Sequence, residues 1–177
     1  MDVIDAIRTR RSVRKYRPDP IPPKLLDRMK EALRLAPSAC NLQPWTFILV
    51  QDPALRRSLA EVCGKQTFIA DASVIVVGVG HPERAYKRMG GDGNSVDVDV
   101  AIALDHLTLA AAAEGLGTCW IGAFDEELVK SLMGIPKTDH VVALVPVGFP
   151  AEAGLLCPVR EGSRKAASEI FRTDRYR

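Results

Sequence analysis

The chain has 177 residues, of which 47% are hydrophobic and 26% are charged, so its composition is that of a folded domain and excludes a disordered segment. Its formal net charge is only +2, which excludes the strong overall field of a typical nucleic-acid-binding protein. The first residues lack an apolar core of signal-peptide length, and no run approaches the roughly 20 apolar residues of a membrane span. We therefore expect a cytoplasmic protein that associates with neither nucleic acid nor membrane.

Two residue types argue against a disulfide framework and against a metal centre. The four cysteines lie far apart and form no CxxC pair: Cys40, Cys63, Cys119 and Cys157. Reduced, mostly buried thiols in a cytosolic protein are the expectation. The three histidines have no metal-ligand spacing with one another or with cysteine: His81, His106 and His140. We expect no metal site.

Two helices are predicted at the start of the chain. Val3, Ile4 and Ile7 indicate a short amphipathic helix, and a basic stretch follows it. The Pro-Pro pair at 22–23 opens the second helix, where proline is tolerated, and its apolar residues keep the i, i+3, i+4 rhythm. Pro37 ends this helix.

A strand, a helix and a second strand are predicted next. Residues 46–50 form a β-rich run, and Asp52 caps the helix that follows. Residues 73–80 (SVIVVGVG) are apolar without alternation, which predicts a strand buried on both faces. Gly78-x-Gly80 lacks the third glycine of a dinucleotide-binding fingerprint, so it does not predict a Rossmann fold.

The longest helix is predicted over residues 96–114, and almost every face of it is apolar. Such a helix must be buried all round, and a subunit interface would supply the cover that a small domain lacks. A dimer is therefore favoured, while a central helix packed under its own sheet is the alternative. The remaining predicted elements are a strand over 118–121, a helix over 126–133 bounded by Asp125 and Gly134, and a strand over 140–147.

The basic stretch carries the motif Arg10-Arg11-Ser12-Val13-Arg14-Lys15-Tyr16. If this stretch is extended, Arg10, Ser12 and Arg14 share one face. Two guanidinium groups and a hydroxyl on one face suit a phosphate group, which accepts charge-assisted hydrogen bonds. On composition alone, a solvated basic face is the alternative interpretation.

A second motif, PSACNLQPW at residues 37–45, forms a proline-bounded loop rich in amide and hydroxyl groups. Such groups suit the edge of a heteroaromatic ring, and they equally suit an ordinary connection between a helix and a strand. These residues alone do not decide between the two.

In chain order, these segments resemble the nitroreductase family of FMN-dependent oxidoreductases. The resemblance extends over residues 4–169. It is carried, in this order, by RRSVRKY, the Pro-Pro helix, APSACNLQPWTFILV, ADASVIVVGV, the long helix running into GLGTCWIGAF, LMGIP and VPVGFP. It implies an α+β, nitroreductase-like three-layer fold, with a mixed, mainly antiparallel sheet flanked by helices, in an intertwined homodimer. Residues 1–177 would form one FMN-binding domain, and residues 151–177 a C-terminal tail that wraps the surface.

The resemblance also assigns residues to FMN, and it assigns no catalytic side chain. The flavin phosphate, ribityl chain and pyrimidine edge would contact Arg10, Arg11, Ser12 and Arg14. The partner subunit would present a loop to the same flavin through Pro37, Ser38, Ala39 and Asn41, with Gln43 in support. Backbone N–H groups of Ile121 and Gly122 would approach flavin N5 and O4, where a donor stabilises the reduced ring. The phosphate site would be completed by Arg164 and Lys165, and the ribityl chain would approach Lys65 and Gln66.

The activity implied is ping-pong hydride transfer from NAD(P)H through FMN to a small, electron-poor acceptor such as a nitroaromatic or a quinone. One alternative is an enzyme of the same fold with other chemistry, dehalogenase-like or flavin-destructase-like. Another is a flavin-binding or storage protein without turnover. Without the resemblance, a basic-tailed module that binds an acidic partner stays open. Residues 83–95 are short and glycine-rich where relatives often carry extra helices over the substrate pocket, so they do not identify the acceptor.

Overall fold

The computed structural model describes residues 1–64, 66–152 and 154–176. The helices are α1 (Val3–Thr9), α2 (Pro23–Arg34), α3 (Pro53–Val62), α4 (Val96–Ala113), α5 (Glu126–Met133) and α6 (Ala167–Ile170). The strands are β1 (Trp45–Val50), β2 (Val74–Gly80), β3 (Gly117–Thr118) and β4 (His140–Gly148). Short 3-10 helices lie at Ala39–Asn41, Thr67–Asp71 and Pro82–Arg84. None of the helices in the described ranges has the length and apolar content needed to cross a bilayer.

The four strands form one sheet in the order β1-β2-β4-β3, and each neighbouring pair is antiparallel. A parallel bridge joins Ser12 to Thr118 at the β3 edge, so the sheet is mixed and mainly antiparallel, as predicted. Strand β2 is buried along its whole length, which confirms the prediction from its apolar run.

Helices cover both faces of this sheet. Val74 and Val76 of β2 belong to the core formed with α2 and α4. The alternate residues Ile75 and Val77 belong to the core formed with α3 and α5. This alternation of side chains is what a strand buried between two helical layers requires. The three-layer α+β fold is therefore confirmed.

Two glycines of β2 let α4 lie close against the sheet. A Cβ built at Gly78 would lie 2.8 Å from Leu104 Cδ1 and 3.0 Å from Val100 Cγ1. A Cβ at Gly80 would clash with Val96 Cγ2. The Gly-x-Gly pair at the end of β2 thus serves helix packing, which agrees with its rejection as a nucleotide fingerprint.

Helix α4 is buried on one side within the single chain, and not all round. Leu104 and Leu107 are fully buried in the chain's own core, whereas Val98 is 42% exposed. Asp97 and Asp105 are also exposed. Within one chain, α4 therefore lacks cover on its outward side, and the expectation that a second subunit supplies this cover stays a prediction. The outward side remains available to a second subunit.

Helix α1 was predicted to be amphipathic, and its three large apolar residues are exposed. Val3 is 64% exposed, and Ile4 and Ile7 are each 51% exposed, whereas Ala6 is the buried residue of the helix. The apolar face of α1 therefore does not meet the core of its own chain. It adds a second apolar surface to that of α4.

Helix α5 has the boundaries that were predicted for it, whereas strand β3 is shorter than predicted. Asp125 caps α5, and Gly134 ends it with a φ of 67°, which confirms both boundaries. The predicted strand over 118–121 is wrong in extent, because the hydrogen-bonded ladder ends at Thr118. After a break, Ile121 returns to β4 in an isolated bridge.

A carboxylate ties α5 to β4. Glu126 Oε1 accepts a hydrogen bond from Lys130 Nζ at 2.9 Å and one from the N–H of Val141 at 3.0 Å. It also lies 2.9 Å from His140 Nδ1. Burial acts to raise the pKa of Glu126, but these three contacts outweigh it and hold the pKa below its ordinary value.

We expect Glu126→Gln to lower the melting temperature clearly at pH 7 and much less at pH 3. A carboxylate with a lowered pKa in the folded state contributes stability above its unfolded pKa of about 4.3. That stability is lost as the pH falls through the folded pKa. Thermal unfolding at both pH values checks this, with Glu127→Gln as the control because Glu127 is 71% exposed. An equal loss at both pH values would contradict the expectation.

Candidate functional site

The basic segment, residues 10–17, lies along the β3 edge of the sheet. The N–H of Val13 donates to Thr118 O at 2.8 Å, and the N–H of Arg17 donates to Phe149 O at 2.9 Å. Val13 is 1% exposed, whereas Ser12 and Arg14 are exposed. The segment is thus extended, as predicted, with its polar residues outward.

A glycine allows this close approach. A Cβ at Gly117 would lie 2.7 Å from Val13 Cγ2. Any side chain at this position would therefore displace the basic segment from β3.

Two arginines of the segment are free to bind an anion. The ion pairs formed nearby are Lys15–Glu152 and Arg17–Asp19, each at 2.9 Å. Within the residues that the structure describes, neither Arg10 nor Arg14 has a carboxylate within 4.0 Å. Two unneutralised guanidinium groups beside an exposed hydroxyl favour a phosphate-sized anion.

Arg11 has a different environment from its neighbours. Its Nη2 donates to Arg8 O at 2.8 Å, and its Nη1 donates to Arg10 O. The guanidinium group therefore satisfies carbonyls at the C-terminal end of α1, where a cation is favourable. This contact makes Arg11 a support of the segment, and its predicted contact with FMN stays a prediction.

Cys119 lies beneath the segment, and the sequence reasoning did not select it. It is 2% exposed, and burial raises the pKa of its thiol, while Arg14, the Ser12 hydroxyl and Arg10 act in the opposite direction. These groups therefore converge on one place in the fold. The signal in the sequence was the position of Cys119 directly after β3.

Tyr16 is a phenol near the C-terminal end of the basic segment. Its hydroxyl donates to Val13 O at 2.8 Å. The phenol is buried, and burial raises its pKa far above the ordinary range. It therefore supplies no proton to the exposed face.

Of the two backbone N–H groups that were predicted to approach the flavin, those of Ile121 and Gly122, only one is free of a described acceptor. The N–H of Ile121 donates to Leu144 O at 2.9 Å, so it is engaged in the sheet and does not fit the predicted contact with flavin. Gly122 is exposed, and a Cβ built there would meet nothing within 4 Å. Among the described residues, no acceptor takes the N–H of Gly122. Gln66 Nε2 donates to Ala123 O at 3.2 Å, and Lys65 lies outside the described residues.

The loop of residues 37–45, here called the flavin loop after its predicted role, has a strained backbone. Cys40, Asn41 and Gln43 have φ values of 51°, 55° and 48°, in the left-handed region that favours glycine. Each such residue costs of the order of 1–3 kcal/mol, and strain of this kind collects at ligand-binding sites. Asn41 and Gln43 are both exposed at the surface of the loop.

Hydrogen bonds within the loop and at its start fix this conformation. The N–H of Gln43 donates to Ser38 Oγ at 2.9 Å, and Gln43 Nε2 lies 3.2 Å from Asn41 Oδ1. The N–H of Ala39 donates to the buried Asp99 carboxylate of α4 at 2.9 Å. Pro37 is exposed at the start of the loop. Asp99 was not among the predicted site residues.

The two parts of the predicted flavin site share no hydrogen bond within the described residues of one chain. The flavin loop is bonded to α4, and the basic segment is bonded to β3 and to residues 149–151. This separation fits the expectation that each subunit supplies one part. The structure describes a single chain, so the assembled site stays a prediction.

The C-terminal cations are not brought to the basic segment by any described hydrogen bond or ion pair. Arg164 and Lys165 are exposed, and Arg164 Nη1 donates to Ser163 O at 3.2 Å. The tail does touch the end of α1, since the N–H of Val159 donates to Arg8 O at 3.1 Å. The role of Arg164 and Lys165 at the phosphate stays a prediction.

A groove of about 660 Å³ lies between α3 and α5, away from the basic segment and the flavin loop. It is open to solvent, and none of the predicted site residues lines it: its residues are Ala54, Arg57, Ser58, Glu61, Val62, Leu128, Ser131 and Leu132. Its size alone does not make it a functional site, and it has no convergent set of cations and open N–H groups.

Comparison with known proteins identifies the family. The model of the Nitroreductase family matches residues 7–73 and 62–149. An NADH dehydrogenase of Thermus thermophilus is 35% identical, over 87% of this chain and 89% of its own length. FMN reductase [NAD(P)H] of Bacillus subtilis is 34% identical, over 85% of this chain and 67% of its own length.

A solved structure agrees with the sequence matches. The crystal structure of a nitroreductase family protein from Clostridium novyi NT is 31% identical, with a TM-score of 0.78, and the match covers 86% of this chain and 87% of that chain. The chain therefore belongs to the nitroreductase family.

Proposed function

We propose that this protein is an FMN-dependent oxidoreductase that passes a hydride from NAD(P)H to a small, electron-poor acceptor, a nitroaromatic or a quinone. The observation that carries the proposal is a pair of guanidinium groups without a carboxylate partner among the described residues, those of the half-buried Arg10 and the exposed Arg14. The names of the relatives, an FMN reductase and an NADH dehydrogenase, support the same chemistry.

The residues present fit FMN. A terminal phosphate carries about two negative charges at pH 7, which two unpaired guanidinium groups can neutralise. Gly122 leaves room for a flat ring beside it, because a Cβ built there would meet no described atom within 4 Å. The site has one cluster of free cations and no dinucleotide fingerprint, which favours FMN over FAD.

Each group of the chain then has a defined task. Arg10, Arg14 and the Ser12 hydroxyl hold the phosphate by charge-assisted hydrogen bonds. The N–H of Gly122 stabilises negative charge on the polar edge of the ring. Asn41 of a second subunit presents its amide group to the same edge, and Gln43 supports Asn41 through the hydrogen bond from Gln43 Nε2 to Asn41 Oδ1. FMN, when bound, supplies the capacity to accept and release a hydride.

We also propose a homodimer as the working unit. Val98 on α4 and Val3, Ile4 and Ile7 on α1 expose apolar side chains that their own chain does not cover. Apolar residues concentrated on two helices are typical of an interface between subunits. The flavin loop, which shares no hydrogen bond with the basic segment, would then serve the partner's flavin.

Two broader points belong to the same proposal. We take residues 1–177 as a single domain, because one sheet organises both helical layers. A cytoplasmic location fits the four free cysteines, since exposed thiols such as Cys40 and Cys157 persist in a reducing compartment.

The test is flavin content followed by turnover. We expect the purified protein to be yellow, to release FMN and not FAD on denaturation, and to oxidise NADH or NADPH anaerobically when a nitroaromatic or a quinone is present. A colourless protein that takes up no added FMN would overturn the proposal. A protein that binds FMN but does not oxidise either nucleotide would be a storage protein.

We expect the rate of flavin reduction to change little between about pH 6 and 8, the range in which a histidine acid would titrate. The His81 imidazole lies 3.2 Å from Asp139, and the His140 imidazole lies 2.9 Å from Glu126, so both rings make structural contacts with carboxylates. Stopped-flow measurement of flavin absorbance checks the profile in wild type and in His→Gln variants at 81, 106 and 140. A bell-shaped profile that one of these variants abolishes would reveal a general acid.

A further inference from the structure

Asp99 is a buried carboxylate without a cationic partner. It is the fourth residue of α4 and is 2% exposed. Its Oδ1 accepts the N–H of Ala39 at 2.9 Å, and its Oδ2 accepts the Ser95 hydroxyl at 2.7 Å. In the described part of the chain, no Lys, Arg or His nitrogen lies within 4.0 Å of it. A buried anion is costly unless hydrogen bonds compensate it, so both contacts are needed.

The hydrogen bond from Ala39 to Asp99 lies at the start of the strained part of the flavin loop. The three residues with positive φ, Cys40, Asn41 and Gln43, follow directly after it. At the far end of the loop, the N–H of His81 donates to Pro44 O at 2.8 Å. The loop is therefore held from outside at both ends, by a carboxylate on α4 and by an N–H just after β2.

The same carboxylate reaches the segment that follows β2. The Ser95 hydroxyl, which donates to Asp99, accepts the N–H of Tyr86 at 3.2 Å, and the N–H of Ser95 donates to Tyr86 O at 2.9 Å. Residues 86–94 are exposed between these contacts. One carboxylate thus links two exposed segments that are far apart in the sequence.

We propose that Asp99 is a positioning residue that holds the flavin loop in its FMN-binding shape. Its role toward FMN rests on the function proposed above, whereas its hold on the Ala39 N–H does not. A strained loop keeps one conformation only when the surrounding structure fixes it. Without the Asp99 contact, the loop is free to relax from the left-handed conformation, and its amide groups no longer meet the ring in a fixed geometry.

Two substitutions distinguish the effect of the hydrogen bonds that Asp99 accepts from the effect of its negative charge. In Asp99→Asn, the remaining oxygen still accepts the N–H of Ala39, and the new NH₂ group donates to Ser95 Oγ, so the contacts survive without the charge. In Asp99→Leu, both donors are left without an acceptor. Asp97→Asn and Asp97→Leu are the matched controls, because Asp97 lies in the same turn of α4 and is 63% exposed.

The experiment measures hydrogen exchange of the Ala39 amide and FMN affinity, both well below the melting temperature of each variant. For Asp99→Leu we expect exchange at Ala39 to be about tenfold faster and the Kd for FMN about tenfold higher, the effect of losing one hydrogen bond to a charged group. We expect Asp99→Asn to stay within about threefold of wild type on both measures, and the Asp97 variants to stay at wild type. Rescue by asparagine distinguishes a positioning role from a role of the charge.

A second variant removes the same hydrogen bond from the loop side. Ala39→Pro deletes the N–H, and the extended conformation of Ser38 (φ −140°, ψ 160°) is one that a residue before proline adopts. If Asp99→Leu does not fold, this variant must show the tenfold loss of FMN affinity. Wild-type affinity in Ala39→Pro, or wild-type exchange at Ala39 in a folded Asp99→Leu, would overturn the inference. If the wild-type protein binds no FMN, the proposed function fails, and exchange still tests the hold of Asp99 on the loop.

Discussion

Replacing Arg10 and Arg14 together by alanine is expected to abolish FMN binding at micromolar concentrations. Each guanidinium group is free of carboxylate partners, so each can contribute the 1.5–3 kcal/mol that is typical of hydrogen bonds to charged groups. Each single substitution should therefore raise the Kd for FMN by about tenfold to a hundredfold, and the double substitution by about a hundredfold to ten-thousandfold. Titration of the apoprotein with FMN at fixed ionic strength measures both.

Arg8→Ala is the matched control for this pair. Arg8 is exposed in the last turn of α1, and its carbonyl, not its side chain, contacts Arg11. Its replacement should change the Kd for FMN by no more than about twofold, as for exposed positions outside a contact. Equal losses in the Arg8 and Arg10 variants would instead indicate a diffuse basic surface.

Leu104→Asp in α4 should unfold the chain, whereas Val98→Arg, six residues earlier, should only separate the subunits of the proposed homodimer. Leu104 is fully buried against the sheet, so Leu104→Asp introduces an unpaired charge whose cost is comparable to the 5–15 kcal/mol of a typical domain. Val98 is 42% exposed, so Val98→Arg is compatible with the folded chain. At a dimer interface, however, it leaves two like charges facing an apolar surface.

Circular dichroism and analytical ultracentrifugation distinguish these outcomes. We expect Leu104→Asp to lose its secondary structure, and Val98→Arg to keep it while sedimenting as a monomer that binds FMN weakly. A Val98→Arg dimer that retains its flavin would show that the outward face of α4 is not the interface. A wild-type protein that is a flavin-loaded monomer would overturn the proposed homodimer.

The elements that were predicted well depend on local chemistry. Asp125 and Gly134 bound α5 because a capping carboxylate and a left-handed glycine act on the adjacent turn. The strand over 73–80 was recognised because a continuous apolar run needs cover on both faces. In these cases, the interactions that fix the element lie within a few residues of it.

The elements that were predicted poorly depend on contacts between distant residues. The sequence shows that α4 is apolar, but only the position of the sheet determines that Leu104 is covered and Val98 is not. The contact of Ala39 with Asp99 joins residues that are 60 positions apart, so it leaves no local pattern. Ile121 was assigned an open N–H because its pairing with Leu144 could not be seen before the path of the chain was known.

Residues 86–94 have a practical consequence for redesign of this protein. The segment is exposed along its length, it closes on itself through the Met89–Gly93 bridge, and Gly90 and Gly91 at its tip have φ values of 61° and 112°. Exposed tips of this kind accept insertions without loss of the core. A library that diversifies and lengthens this tip should therefore keep the fold, provided that Gly78, Gly80 and Gly117 are kept constant. Selection on such a library would add new binding surface to a scaffold whose folding is left intact.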